Sequence, residues 1–361
     1  MHTDPHAHAP AHEPYAPNAG PTRIAQRLRD ARRVVILTHV KPDGDAVGSS
    51  LALARTLLER GAHAEAWYLG PFPPWLDEVA AGTPVRKLSA DNLGTDALPE
   101  PDAVAVVDTG AWSQVDALGP WLRQRAAMAA LVDHHRHGSN DAAALRWIDP
   151  GYAAAAEMIA EVVTHTLGLG ADAPLPAGVA RAIYMGLATD TGWFKFSSTT
   201  PRTLRLAARL MESGAAHTEL YEMLEQRHPA GRPRLLGRAL GSLRMIAGGR
   251  VAAMSLRQQD FADCDAKAED VGGFAEQPMA IAGVRAVVIF TEMTRPGHPS
   301  PVVKASLRSR PGTPRAPAVD VSAIAARFGG GGHVHAAGVR FAATLEDSER
   351  ALLEALQEAV T

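Results

Sequence analysis

The stretch Val34–Ser50, reading VVILTHVKPDGDAVGSS, constrains the fold more than any other part of the chain. Its β-branched, apolar start, Val34–Leu37, predicts a buried strand. Thr38 and His39 end the strand, Pro42-Asp43-Gly44-Asp45 turns the chain, and a helix is expected from about Ala46. Val47, Leu51, Ala54 and Leu58 follow at helical spacing and should face the core. His39, Asp43 and Asp45 therefore fall in the loop between a strand's carboxyl end and a helix, where open α/β sheets place their chemistry. An imidazole and two carboxylates on one short loop are ligands for a divalent cation. The same residues also make a polar turn with a helix-capping Asp. Only the rest of the chain decides between these readings.

Strand and helix signals repeat beyond this point. His63–Leu69 is a second expected strand, Asp102–Val107 a third, ending in Asp108-Thr109-Gly110, and Met128–Val132 a fourth, ending in Asp133-His134-His135. Alternation of this kind implies βαβ units and a mostly parallel sheet, and right-handed crossovers would bring all the strand ends to one edge. Helices are expected over Thr22–Arg32, Ala153–Gly168 and Pro176–Ala188, the last breaking at Thr189-Asp190-Thr191-Gly192. Two more, Pro201–Gly214 and His217–Arg227, precede a break at His228–Pro233. Strands are then expected near Arg250–Leu256, Val284–Thr291 and Val302–Leu307, and a helix near Val321–Phe328 that runs into Gly329–Gly332 and His333.

A chain of 361 residues holds one large domain or two ordinary ones. The expected division is a disordered His- and Pro-rich tail over 1–21, a metal-binding domain over 22–212, a linker over 213–235 and a second domain over 236–361. His2, His6, His8 and His12 of the tail could bind stray metal but form no fixed site. One cysteine, Cys264, excludes an intrachain disulfide and fits a reducing, cytoplasmic setting, with the thiol as apolar filler. There is neither an apolar run of transmembrane length nor a signal-peptide core, so no membrane partner is expected. A net charge of −3 makes the whole surface a poor nucleic-acid magnet. Locally the balance differs: Arg295–Arg340 carries seven Lys or Arg against one acid, Asp320, a surface that could meet a phosphate-bearing substrate.

His39/Asp43/Asp45, Asp108, Asp133/His134/His135 and Asp190 all stand at the ends of expected elements. Each alone could cap a helix or sit in a surface loop. Together they place several carboxylates at one sheet edge, where repulsion and burial would neutralise some of them unless cations intervene. Carboxylates with imidazoles suit Mn²⁺ and related ions, and one cysteine cannot build a thiolate zinc cage. The donors suffice for two ions with one Asp bridging. Two metals about 3.5–4 Å apart can hold a hydroxide and neutralise a phosphoryl group in flight.

THVKPDGDAVGS, VVDTG, VDHH and ATDTG resemble, in order, the four motifs of the DHH phosphoesterases. SLRSR and GGGGHVHAAG resemble the signature of the DHH-associated domain. The likeness runs from about Ile24 to the end and is nearest to the small nanoRNase and pAp-phosphatase type; the longer single-strand DNA exonucleases carry domains for which this chain has no room. The resemblance implies an α/β protein with a parallel-sheet domain, a smaller mixed α/β domain, and an active site in the cleft between them. It implies two Mn²⁺ ions, or Mg²⁺ or Co²⁺ in their place. His39, Asp43 and Asp108 would hold one, and Asp45, Asp108, His134 and Asp190 the other, with Asp108 as the bridge. Asp133 would orient its neighbours. His135 would face the scissile phosphate, and a bridging hydroxide would attack phosphorus in line.

The resemblance also implies substrate contacts from Arg308 and Ser309, ahead of Arg310, and from Gly330, Gly331, Gly332 and His333, with His335 at the surface. Bare glycine amides can approach phosphate oxygens. The implied substrates are short RNA, linear dinucleotides and the nucleoside bisphosphate pAp. A homodimer is left open. One departure stands out: Ala153–Ala156 precede Glu157 where relatives often carry a hydroxyl. The rival enzymatic readings are a cyclic dinucleotide phosphodiesterase and a pyrophosphatase. The rival from another class is a nucleotide sensor with a dead metal centre.

Overall fold

The computed structural model describes residues 15–89, 93, 100–293, 302–313 and 316–360, apart from the side chain of His333. Two compact units divide the chain, one ending at Gln226 and the next starting at Arg227.

The first unit opens with α1 (Pro21–Arg29), β1 (Arg33–Leu37), α2 (Gly44–Glu59), β2 (His63–Leu69), α3 (Leu76–Ala80) and β3 (Val85–Leu88). It continues with β4 (Ala103–Val107), α4 (Gly119–Arg123), β5 (Ala129–Asp133), β6 (Leu145–Ile148), α5 (Ala155–Leu167), α6 (Ala177–Asp190), α7 (Pro201–Glu212) and α8 (His217–Glu225). The six strands lie in the order β3-β2-β1-β4-β5-β6, and every neighbouring pair is parallel. Alternate residues of β1 and β4 enter opposite cores: Val34, Ile36, Ala103 and Ala105 one, Val35, Leu37, Val104 and Val106 the other. A sheet covered on both faces needs strands that are apolar throughout, which is why these runs could be read from sequence. The order reverses between β1 and β4, so the loops leaving their carboxyl ends diverge and open a crevice.

β3 and β6 were not expected. Both are four-residue edge strands, and Arg86, Lys87 and Arg146 dilute their apolar signal. The N-terminal tail also needs correction. Residues 1–14 lie outside the described residues, but from Tyr15 the chain is pinned to the domain. Asn18 and Ala19 donate from their amides to the Arg146 carbonyl, and the Arg146 amide donates back to Asn18 Oδ1 at 2.7 Å. Backbone pairing along the edge of β6 supplies order that the Pro- and Ala-rich composition did not suggest.

The second unit contains α9 (Gly231–Gly241), β7 (Arg244–Ile246), β8 (Val251–Leu256), α10 (Gln258–Cys264), β9 (Ala286–Met293) and β10 (Val302–Ser309). It ends with α11 (Val321–Ala326), β11 (Gly331–His333), β12 (Ala336–Phe341) and α12 (Leu345–Val360). Its sheet runs β11-β12-β10-β9-β8-β7 and is mixed, with β8 and β9 parallel and the other pairs antiparallel. α11 and α12 contribute to one core, and α9 and α10, with the buried thiol of Cys264, to the other. α9 starts inside the expected break because Pro233 falls in its first turn, where a missing amide hydrogen costs nothing.

Candidate active site

Asp43 is the N-cap of α2, its Oδ1 accepting from the amides of Asp45 at 3.0 Å and Ala46 at 3.1 Å. The capping role and a ligand role therefore coexist on one side chain. Asp45, in the first turn of α2, is 1% exposed. Asp108 leaves β4 with φ +62, a left-handed conformation that Asp tolerates better than most residues. Asp133 is the last residue of β5, His134 and His135 follow it, and Asp190 closes α6.

These side chains converge. His39 Nε2 lies 3.8 Å from Asp43 Oδ1 and 3.4 Å from Asp108 Oδ2. His134 Nε2 lies 3.4 Å from Asp108 Oδ1, 3.7 Å from Asp190 Oδ2 and 3.8 Å from Asp45 Oδ2. Three donor sets each fall within 4.8 Å: His39/Asp43/Asp108, Asp45/His134/Asp190 and Asp108/His134/His135. Asp108 belongs to two of them.

Neighbouring groups aim the imidazoles. His39 Nδ1 contacts the Val40 carbonyl at 2.9 Å, which turns Nε2 toward the carboxylates. His134 Nδ1 faces the Tyr152 carbonyl at a longer 3.4 Å. His135 Nδ1 is instead bonded to Asp133 Oδ1 at 2.8 Å and lies 3.7 Å from Asp108 Oδ1.

Asp45 has partners that sequence reasoning missed. The amides of Ala155 and Ala156, at the start of α5, donate to its Oδ2 and Oδ1 at 2.6 and 2.8 Å, and the Ser49 hydroxyl donates to Oδ1 at 3.2 Å. A helix N-terminus thus faces the buried carboxylate. The Ala153–Ala156 stretch lacks hydroxyls but supplies backbone donors, which have no side-chain signature.

The electrostatics are those of a crowded carboxylate site. Burial, then the charges of Asp108 and Asp190, push Asp45 well above the usual carboxylate range. Burial and Asp108 push Asp190 up to about 6. Burial disfavours charge on His39 and His134, but the adjacent carboxylate of Asp108 and the other carboxylates around them outweigh it, raising them to about 11 and about 10.

The donor set fits a divalent cation on a further observation: Asp108 Oδ1 is buried with no hydrogen-bond partner among the described residues. Buried carboxylate oxygens are rarely left so. A ligating imidazole must be neutral, and these two hold protons below about pH 10. Apparent Mn²⁺ affinity should therefore rise with pH through the neutral range, with protons released on binding. Calorimetry in buffers of different ionisation enthalpy measures that release, and a pH-independent affinity would contradict it.

The residues expected to touch substrate lie in the second unit. Arg308, on β10, is half-buried and donates to the Leu307 carbonyl at 2.9 Å. Ser309 is buried, its hydroxyl donating to the Val319 carbonyl at 2.7 Å and pairing with His335 Nδ1 at 2.9 Å. Ser309 and His335 thus hold each other, where a substrate contact and a bare surface residue were expected. Arg310 donates to the Met279 carbonyl. The glycine run is not an open loop. Gly331 and Gly332 pair with Gly338 and Ala337 across the β11–β12 hairpin. A methyl on Gly330 would lie 2.3 Å from the Gly338 oxygen, and one on Gly332 2.4 Å from the Ala336 oxygen. Glycine is required there by the backbone's close approach. The backbone of His333 closes β11; its side chain lies outside the described residues.

The chain matches the DHH family, N-terminal domain, over residues 33–187 and the DHHA1 domain over residues 235–361. It is 32% identical to the bifunctional oligoribonuclease and PAP phosphatase NrnA of Thermus thermophilus, over 91% of this chain and 90% of that protein. It is 24% identical to the cyclic-di-AMP phosphodiesterase PdeA of Listeria monocytogenes, over 92% of this chain and 48% of that one. An exopolyphosphatase-related protein from Bacteroides fragilis shares the fold, with a TM-score of 0.82 at 23% identity over 94% of this chain and 95% of that one. Every donor of the first unit's cluster except Asp190, three residues beyond it, falls on the segment matched to the DHH domain, and a relative at this identity spans nearly the whole chain: the protein belongs to the DHH family of phosphoesterases and carries a DHHA1 domain.

Proposed function

We propose that this phosphoesterase uses two Mn²⁺ ions to hydrolyse short oligoribonucleotides and linear dinucleotides to mononucleotides, and to remove a phosphate from pAp to give AMP. The observation that supports it most is the placing of Asp108, a buried carboxylate shared by donor sets drawn from the β1, β4 and β5 loops. His39, Asp43 and Asp108 would hold one ion, and Asp45, Asp108, His134 and Asp190 the other. Such ions supply a nucleophile from water at neutral pH and offset charge on the phosphoryl group.

The chain's own residues do the rest. Asp133 holds Nδ1 of His135, and we assign the ring's other nitrogen to a non-bridging oxygen of the scissile phosphate. The amides of Ala155 and Ala156 keep Asp45 aimed at His134. Arg308, Gly330–Gly332 and His333 would bind the remaining phosphates or the base, and Ser309 would hold its loop in place. No helix among the described residues is long and apolar enough to cross a membrane. With a single, buried thiol, we place the protein in a reducing cytoplasm.

The likeness to a cyclic-di-AMP phosphodiesterase favours one second reading, a cyclic dinucleotide as substrate. A panel of pAp, pApA, di- to pentaribonucleotides and cyclic dinucleotides, run with Mn²⁺, with Mg²⁺ and with chelator, separates the two. The expected result is turnover of pAp and the linear species with Mn²⁺ and none with chelator. Cleavage of the cyclic species alone would replace the first reading, and cleavage of none would overturn both.

A further inference from the structure

We propose that Tyr15 is a positioning residue for His135, acting through Asp133. The Tyr15 hydroxyl donates to Asp133 Oδ2 at 2.8 Å, across 118 residues of chain. Asp133 Oδ1 accepts from His135 twice, from Nδ1 at 2.8 Å and from the backbone amide at 3.1 Å. Asp133 is fully buried, so among the described residues these donors hold its orientation. With Tyr15 on one oxygen and His135 on the other, the carboxylate cannot turn about its last bond without breaking a contact. The imidazole inherits that fixed direction. Burial and the charge of Asp133 hold the phenol in its protonated, donating form.

The seat for Tyr15 is built. A methyl on Gly110 would lie 2.0 Å from the Tyr15 oxygen, and one on Gly138 would lie 2.5 Å from its Cζ. Gly110 follows Asp108-Thr109 after β4, and Gly138 follows the His134-His135 loop after β5. The Ser139 amide donates to the Gly110 carbonyl at 2.9 Å, tying these loops together beside the ring. The segment carrying Tyr15 is anchored independently: the Ala16 amide donates to Asn140 Oδ1 at 3.1 Å, and Asn18 Nδ2 donates to the Ala144 carbonyl at 2.9 Å. A plug that only filled space would need the ring but not the hydroxyl. The hydroxyl is the atom that meets Asp133.

This inference rests on the reading that His135 meets the scissile phosphate, and the test separates the two. Tyr15→Phe keeps the ring and removes one oxygen. In the full chain with saturating Mn²⁺ and pApA as substrate, kcat should fall about tenfold while KM stays within about twofold. Thermal stability and Mn²⁺ affinity should be essentially those of the parent protein. The Nδ1 proton resonance of His135, assigned with ring-labelled histidine, should shift or broaden. His135→Ala, measured alongside, should lose more activity than Tyr15→Phe. Unchanged kcat in Tyr15→Phe with activity lost in His135→Ala would overturn the positioning role alone. A kcat loss accompanied by a matching fall in stability or Mn²⁺ affinity would make Tyr15 a structural plug and also overturn it. Full activity in His135→Ala would remove the underlying reading, and the positioning role with it.

Discussion

Asp108→Ala is expected to lower kcat on pApA by at least about a thousandfold, the scale of losing a group that organises charge at a phosphoryl centre. The reason is geometric. Asp108 Oδ2 faces His39 at 3.4 Å and Oδ1 faces His134 at 3.4 Å, so one carboxylate joins two of the three donor sets. In the proposed assignment, removing Asp43 or Asp190 would weaken one ion's site, whereas removing Asp108 would take a donor from both. The substitution also relieves repulsion on Asp45 and Asp190, since Asp108 raises both of their pKa values. The fold should therefore survive, and Mn²⁺ titration followed by calorimetry should show the loss of high-affinity binding. Retention of more than a tenth of the parent kcat would mean that Asp108 does not join the two sets.

The elements that build this site were legible because their physics is local. β1 announces itself through an unbroken apolar run, and the Asp43-Gly44-Asp45 turn through its capping chemistry. Asp108, Asp133 and Asp190 stood out because each directly follows or closes an apolar segment. What stayed hidden depends on distant backbone. The donors to Asp45 are amides of alanines, which any residue could provide. Tyr15 reaches Asp133 from a Pro-rich segment whose composition suggests disorder. The glycine run reads in sequence as an anion-binding segment; its last two members pair into β11, and Gly330 and Gly332 are glycine because the backbone of Gly338 and Ala336 leaves no room for side chains. Ser309, read as a substrate contact from the resemblance to the family's Arg-Ser pair, faces inward because side chains alternate along β10.

Gly48→Val is expected to destabilise the first unit by about 3 kcal/mol, the upper range for forcing atoms into a packed interior. α2 and α6 approach closely along small residues. A methyl on Gly48 would lie 2.5 Å from the Ala182 carbonyl oxygen and 2.7 Å from the Gly186 amide nitrogen. Those neighbours are backbone, so they cannot rotate away; the helices must separate. Separation would reach the metal donors, because α2 carries Asp45 less than one turn before Gly48 and α6 ends on Asp190. Gly186 faces the same seam, where a methyl would lie 2.8 Å from Asp45 Oδ1. Scanning calorimetry of the full chain should show the transition of the first unit lowered by about 10 °C, with weaker Mn²⁺ binding at temperatures where the variant is still folded. Gly237→Ala provides the contrast, since its new methyl on α9 would meet nothing within 4 Å. It should raise stability slightly, as alanine favours a helix over glycine by about 1 kcal/mol. If Gly48→Val melted with the parent protein, close contact between α2 and α6 could not be what fixes Asp45 beside His134.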